Sequence, residues 1–131
     1  MESLNFMVVE DEAIVAMDIK NKVLDLNHNV VATVSSGEEA IEKLKNHRID
    51  FVILDIGLRG KIDGIQLADY IYTNYRIPFL YITAHSDRFT FLKALKTNPY
   101  AYIIKPYIER DLLISIELAI QKFYSEQEKI K

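Results

Sequence analysis

The 131-residue sequence contains no cysteine, and it has only four glycines and three prolines. Without cysteine, neither a disulfide framework nor thiolate chemistry is possible. The N-terminus lacks the basic and apolar regions of a signal peptide. No apolar run approaches the ~20 residues that a membrane span needs. These absences make cytoplasmic residence the default expectation.

The charge balance gives no sign of a nucleic-acid site. Sixteen Lys and Arg residues stand against nineteen Asp and Glu residues, a net charge of −3. No basic block occurs before the last few residues. We therefore expect no direct nucleic-acid partner. The length suits one domain with a single core.

Two hydrophobic periods alternate along the chain, one typical of buried strands and one typical of amphipathic helices. Strands are predicted over residues 4–9, 30–34, 51–54, 78–82 and 102–104. Helices are predicted over residues 12–26, 40–44 (with Ser36 as cap and Glu39 in the capping-box position), 65–71, 86–96 and from Glu109 to near the C-terminus. This alternation predicts an α/β fold: a doubly wound, five-stranded parallel sheet with five helices.

Four of the predicted strands are directly followed by residues that suggest a site. These residues are Glu10 and Asp11, Asp55, Thr83 and Ala84, and Lys105 and Pro106, in chain order. Ligands of doubly wound sheets bind beyond the carboxyl ends of the strands. Three carboxylates, a hydroxyl and an amine are therefore expected at one edge of the sheet.

Carboxylates this close together repel one another, and each raises the pKa of its neighbours. A cation relieves that repulsion, and oxygen ligands without histidine or thiolate suit Mg²⁺, which keeps several waters. Lys105 adds a positive charge that can pair with a carboxylate or a phosphoryl oxygen. A metal, an amine and a hydroxyl around one carboxylate are the groups that phosphoryl transfer onto Asp55 needs.

These motifs, taken in order, resemble those of response-regulator receiver domains of two-component phosphorelay signalling. The matching segments are Val8-Val9-Glu10-Asp11-Glu12, Leu54-Asp55-Ile56, Asp63-Gly64, Ile82-Thr83-Ala84 and Tyr102-Ile103-Ile104-Lys105-Pro106. The resemblance covers essentially the whole chain, residues 1–131, as one receiver domain. It implies a flavodoxin-like sheet with strand order 2-1-3-4-5.

The resemblance also implies a phosphoprotein in which Asp55 accepts phosphate from the phosphohistidine of a histidine kinase. Asp11, Asp55 and the Gly57 carbonyl would bind Mg²⁺, and Glu10 would act through water. The groups implied around the phosphoryl oxygens are Lys105, Thr83 and the Ala84 amide. The other implied features are Tyr102 as an aromatic switch and a cis peptide bond before Pro106.

A signalling module rather than a turnover enzyme is implied, with a histidine kinase or phosphotransfer protein as partner. The family commonly pairs through its fourth helix, fifth strand and fifth helix, so a homodimer or a contact with an adjoining domain is expected there. On the fifth helix, the stripe predicted to cover the sheet is Leu112, Ile116, Ala119 and Phe123. The residues expected to be partly exposed are Leu113, Ile114, Leu118 or Ile120. The chain is either a stand-alone regulator or a fragment of a longer regulator or hybrid histidine kinase.

The sequence departs from the family pattern in its first acid and in one loop. Glu10 stands where aspartate is commoner, and residues 57–63 lack the usual proline after Leu58 and are one residue longer. Gly57 and His85 occupy positions that often tune phosphate lifetime in this family.

Two other functions are compatible with parts of the pattern. One is an Asp-nucleophile phosphohydrolase, although that family places a second acid where this chain has Gly57. The other is a degenerate receiver that acts only as an interaction module. Taken singly, Asp11 is also compatible with a helix cap, Asp55 with a turn residue and Tyr102 with plain packing.

Overall fold

The computed structural model describes residues 3–130, which form a parallel sheet with helices on both faces. The strands are β1 (Asn5–Val9), β2 (Asn29–Val34), β3 (Phe51–Leu54), β4 (Phe79–Thr83) and β5 (Tyr102–Ile104). The helices are α1 (Ala13–Asp25), α2 (Gly37–Asn46), α3 (Gly64–Tyr75), α4 (Arg88–Leu95) and α5 (Glu109–Ile130). The sheet order is β2-β1-β3-β4-β5, and all neighbouring pairs are parallel. The predicted fold class and strand order are confirmed.

The sheet separates two apolar layers, because successive side chains of a strand point to opposite faces. Along β1, Met7 and Val9 lie in the layer formed with α2, α3 and α4. Phe6 and Val8 lie in the layer formed with α1 and α5. Both faces of the central strands are therefore buried, which is why those strands read as unbroken apolar runs.

Polar side chains fix where two of the helices begin. The Asp87 carboxylate accepts a hydrogen bond from the backbone N–H of Thr90 at 2.9 Å, so α4 begins at Arg88, two residues later than predicted. The Ser36 hydroxyl accepts from the Glu39 N–H at 3.1 Å and caps α2 as predicted. The Glu39 carboxylate accepts in turn from the Ser36 hydroxyl at 3.1 Å.

The α5 helix buries a wider stripe than the sequence predicts. Its buried residues include Leu112, Ile116, Ala119 and Ile120, whereas Phe123 is half-buried. The expected partial exposure of Ile120 is wrong, because Ile120 lies one turn after Ile116 and joins the layer shared with α1. Ile114 and Leu118 are exposed as expected. Within residues 3–130, no helix is both long and apolar enough to cross a membrane.

Candidate functional site

The carboxyl ends of β1, β3 and β5 bring four carboxylates and one ammonium group together. Oxygens of Glu10, Asp11, Glu12 and Asp55 all lie within 4.8 Å of one another. Lys105 Nζ lies 2.9 Å from Glu10 Oε1, 2.7 Å from Glu12 Oε1 and 2.9 Å from Asp55 Oδ2. One cation therefore faces an excess of negative charge.

The Asp55 carboxylate is held through both of its oxygens. Oδ1 accepts hydrogen bonds from the backbone N–H groups of Ile56 at 2.6 Å and Gly57 at 3.3 Å. Oδ2 accepts from Lys105 Nζ at 2.9 Å. The backbone N–H of Asp55 donates to the Val9 carbonyl at 3.0 Å, which fixes the residue where β3 leaves the sheet. The bonds from Ile56 and Gly57 are those of a turn aspartate, whereas the bond from Lys105 is one that a turn alone would not need.

Glu10 is a buried acid with an incompletely bonded carboxylate. Its Oε2 accepts from the backbone N–H of Glu12 at 3.1 Å. Its Oε1 is close enough to Lys105 for an ion pair, but the geometry fails that of a hydrogen bond, and the oxygen has no hydrogen-bond partner among the described residues. Burial, helped by the charge of Asp55, raises the pKa of Glu10 above its usual range against the lowering effect of Lys105. A cation or a cation-bound water would satisfy this oxygen.

Asp11 is half-buried, and within residues 3–130 its carboxylate makes no hydrogen bond or ion pair. The N-cap position of α1 is Glu12, and no side chain caps that helix. The alternative that Asp11 acts as a helix cap is therefore wrong. Free or unsatisfied oxygens on Asp11 and Glu10, beside Asp55, form the hard donor set that Mg²⁺ prefers.

The charge of Lys105 is stabilised by its acidic neighbours. Burial alone would lower the pKa of the amine, but its contacts with the carboxylates of Glu12, Glu10 and Asp55 outweigh burial and raise the pKa above its usual value. The backbone N–H of Lys105 donates to the Thr83 carbonyl at 2.8 Å, so β4 and β5 deliver Lys105 and Thr83 side by side. The peptide bond between Lys105 and Pro106 is cis.

Thr83 and Tyr102 are joined through His85, on the segment that follows β4. The Thr83 side chain is fully buried rather than at the rim, and its hydroxyl accepts from the His85 N–H at 3.4 Å. The Tyr102 hydroxyl donates to the His85 carbonyl at 2.7 Å, and its ring meets Phe91 of α4 edge-on at 5.0 Å. Tyr102 therefore has specific partners on both sides. Ala84, between Thr83 and His85, is exposed.

The loop after Asp55 is bonded to the start of α2. The backbone N–H of Arg59 donates to the Ser35 carbonyl at 3.3 Å, and residues 36 and 59 form an isolated parallel bridge. The N–H of Lys61 donates to the Glu38 carboxylate at 2.9 Å. Gly60 has a φ of 86°, in the left-handed region that favours glycine. These contacts restrain the loop on the side of α2.

Glu12 is the site residue that sequence reasoning missed. It is the last residue of the segment Val8-Val9-Glu10-Asp11-Glu12, yet the sequence predicted no role for it. Its carboxylate makes the shortest of the three contacts to Lys105. The available signal was the run of three consecutive acids after the first strand, since the third acid of such a run remains near the strand end.

The response regulator receiver domain family matches residues 6–117. The chain belongs to this family. The transcriptional regulatory protein PdtaR of Mycobacterium tuberculosis is 32% identical over 117 residues, which are 89% of this chain and 57% of that protein. The probable transcriptional regulator ycf27 of Cyanidium caldarium is 28% identical over 127 residues, or 97% of this chain and 50% of that protein. The chain thus spans about half the length of these relatives.

Solved receiver domains share the fold. The signal receiver domain of a modulated diguanylate cyclase from Desulfovibrio desulfuricans is 31% identical, with a TM-score of 0.84 over 95% of this chain and 99% of that chain. A CheY-like receiver domain from Methanospirillum hungatei is 22% identical, with a TM-score of 0.83 over 99% of this chain and 100% of that chain. The membership of the receiver family agrees with the sequence prediction.

One expectation about partners loses its support. The relatives above are named as transcriptional regulators, so the predicted absence of a nucleic-acid partner does not follow from the receiver family.

Gly64 provides a test of how closely α3 approaches the Asp55 segment. A Cβ atom on Gly64 would lie 2.0 Å from the Asp55 carbonyl oxygen and 2.6 Å from Ile56 Cα, both of which are backbone atoms. We expect Gly64→Ala to lower the free energy of unfolding by about 1–3 kcal/mol, measured by urea denaturation, because backbone must move to make room. Gly57→Ala is the matched control, since its Cβ would meet only His85 Nε2, at 3.6 Å. Equal stability of the two variants would contradict this packing.

Proposed function

We propose that this receiver domain is a phosphoacceptor that takes a phosphoryl group from the phosphohistidine of a histidine kinase or phosphotransfer protein onto Asp55. The observation that carries the proposal is the surroundings of Asp55. Its carboxylate sits against the ammonium group of Lys105, inside a cluster of acids at the carboxyl edge of the sheet. In sheets of this kind that edge is where ligands bind.

The proposed transfer requires charge neutralisation more than covalent assistance. An Asp55 oxygen attacks phosphorus, a P–O bond forms as the P–N bond to the donor imidazole breaks, and the leaving nitrogen takes up a proton. Attack of water on the same phosphorus later releases inorganic phosphate and restores the carboxylate. Lys105 would hold one phosphoryl oxygen, and the Thr83 hydroxyl and Ala84 amide would hold others.

A Mg²⁺ ion bound by Asp11, Asp55 and the Gly57 carbonyl, with Glu10 acting through water, would supply the remaining positive charge. The unbonded Asp11 carboxylate and the unsatisfied Glu10 Oε1 support this assignment. The two rival functions are less well supported. Gly57 provides no side chain to act as the general acid of a phosphohydrolase. A degenerate receiver would not need the assembled acids and Lys105.

Asp55 phosphorylation has a direct test. Acetyl phosphate with Mg²⁺ should add one phosphoryl group to the protein, and Asp55→Asn should abolish the addition in intact-mass measurements. Chelation of Mg²⁺, or Asp11→Asn, should slow labelling by about tenfold or more, as loss of metal-site residues commonly does. Asp25→Asn, at the far end of α1, is the control and should label normally. Undiminished labelling of Asp55→Asn would remove Asp55 as the acceptor.

We further propose that phosphorylation is read out through Thr83 and Tyr102. A Thr83 hydroxyl drawn toward a phosphoryl oxygen would give up its contact with the His85 N–H. Movement of His85 would in turn break the hydrogen bond that its carbonyl accepts from Tyr102. Because the Tyr102 ring packs against Phe91 of α4, movement of Tyr102 would also alter the packing of α4.

The proposed relay from Thr83 to Tyr102 depends on the Thr83 hydroxyl group rather than on the volume of the Thr83 side chain. Because Thr83 is fully buried, Thr83→Val, which keeps its shape, is a better test than Thr83→Ala. We expect Thr83→Val to remove most of the phosphorylation-induced shift of the Tyr102 ring signals in NMR spectra, and Thr83→Ser to retain it. A full Tyr102 shift in Thr83→Val would show that the relay is wrong.

The surface around Tyr102 is the proposed partner surface. The elements near it carry exposed apolar side chains, on α4, at the end of β5, before α5 and on α5: Leu92, Leu95, Ile104, Ile108, Ile114 and Leu118. Contiguous exposed apolar area usually marks an interaction site. We propose that it pairs two copies of this domain in a phosphorylation-dependent manner, or contacts an adjoining domain in a longer parent chain.

Homodimerisation through this surface is testable by sedimentation. The apparent mass should rise when beryllofluoride and Mg²⁺ mimic phosphorylation, and Ile114→Lys should prevent the rise, because it places a charge in the apolar contact. Ile14→Lys is the matched control, since Ile14 is even more exposed but lies on α1. A monomer in both states at high concentration would exclude the homodimer.

A further inference from the structure

Glu12 contacts Lys105 in a way that the proposed acceptor role of Asp55 does not require. Glu12 Oε1 lies 2.7 Å from Lys105 Nζ, closer than the oxygens of Glu10 and Asp55. The Glu12 side chain is 60% exposed, whereas those of Lys105 and Glu10 are 11% and 1% exposed. The ammonium group thus lies between two buried acids, Glu10 and Asp55, and one exposed acid, Glu12.

Carboxylate oxygens already occupy the space around the Lys105 ammonium group. Two of its three N–H donors bond to Glu12 Oε1 and Asp55 Oδ2, and Glu10 Oε1 lies 2.9 Å away as an ion pair. A phosphoryl group on Asp55 that is to be held by Lys105 must therefore displace one carboxylate. Asp55 remains in place as the acceptor, so the choice lies between Glu10 and Glu12.

Separation of Glu12 from Lys105 costs less free energy than separation of Glu10 from Lys105. Glu10 is buried, and the Glu12 backbone N–H holds its other oxygen, so separation from Lys105 would leave a charge unpaired in the interior. The Glu12 carboxylate can turn into water, and exposed ion pairs contribute little to stability.

We propose that Glu12 is a positioning residue that competes with the phosphoryl group for Lys105 and so restrains phosphorylation of Asp55. The inference rests on the proposed function, since it assigns Lys105 to the phosphoryl oxygens. Loss of Glu12 should therefore favour the phosphorylated state, whereas loss of a proposed Mg²⁺-binding acid should disfavour it.

The test uses beryllofluoride, which binds an aspartate oxygen in the geometry of a phosphoryl group. Titrations of the whole chain at saturating Mg²⁺ should show that Glu12→Gln binds beryllofluoride about two- to fivefold more tightly than the parent protein, the size expected for an exposed ion pair. The initial rate of labelling by acetyl phosphate should rise by a similar factor. Glu42→Gln, an exposed acid on α2, is the charge-matched control and should change neither quantity.

A second variant separates competition by contact from repulsion by charge. Glu12→Asp keeps the negative charge but shortens the side chain by about one carbon–carbon bond, ~1.5 Å, which breaks the contact with Lys105. Competition by contact predicts that Glu12→Asp gains most of the affinity that Glu12→Gln gains. An affinity of Glu12→Asp equal to that of the parent protein would overturn the inference, because charge alone would then explain the gain.

Two further outcomes are decisive. Unchanged beryllofluoride binding by Glu12→Gln would overturn the inference. Weaker binding would also overturn it and would identify Glu12 as a metal ligand or a support for Lys105, which Mg²⁺ titration without beryllofluoride tells apart. That result leaves Asp55 phosphorylation untouched if the parent protein is still labelled. If the parent protein neither binds beryllofluoride nor labels at Asp55, the proposed function fails and the inference fails with it.

Discussion

The repulsion among the carboxylates around Asp55 is the constraint on which the rest of the site depends. Four acids share a space in which all their ligand oxygens lie within 4.8 Å, and one ammonium group offsets only part of their charge. Partial burial strengthens both the repulsion and the attraction to Lys105. The cluster is therefore suited to take up further positive charge, and the Mg²⁺ and the phosphoryl group proposed for this site would depend on the same charge balance.

Sheet topology turns this local electrostatics into a link with a distant surface. Tyr102 begins the short strand β5, Lys105 directly follows its last residue, and the Lys105 N–H donates to the Thr83 carbonyl of β4. The Tyr102 hydroxyl donates to the carbonyl of His85, which lies just beyond β4. The groups proposed to hold the phosphoryl oxygens and the side chain proposed as the switch thus lie on, or directly beyond, the two neighbouring strands β4 and β5.

The fold was predictable from the sequence because its strands are buried on both faces, and the site was partly predictable because parallel strands place their final residues at one edge. Asp55 and Lys105 are brought together as expected. Contacts set by side-chain reach were not predictable. The burial of Ile120 depends on how α5 lies against α1, and the contact between Glu12 and Lys105 depends on the direction of a flexible side chain. Neither leaves a period or a spacing in the sequence.

The bridge between residues 36 and 59 restrains the loop that follows Asp55 on one side only. Toward β2 and α2 the loop is clamped by backbone hydrogen bonds and by the Glu38 carboxylate. Toward β4, by contrast, residues 84–89 are all exposed, and their ties to the site are the contacts around His85. Strain created at Asp55 would relax where resistance is least, on the β4–β5 flank. Restraint on the α2 side alone would thereby direct a change at Asp55 toward β4 and β5.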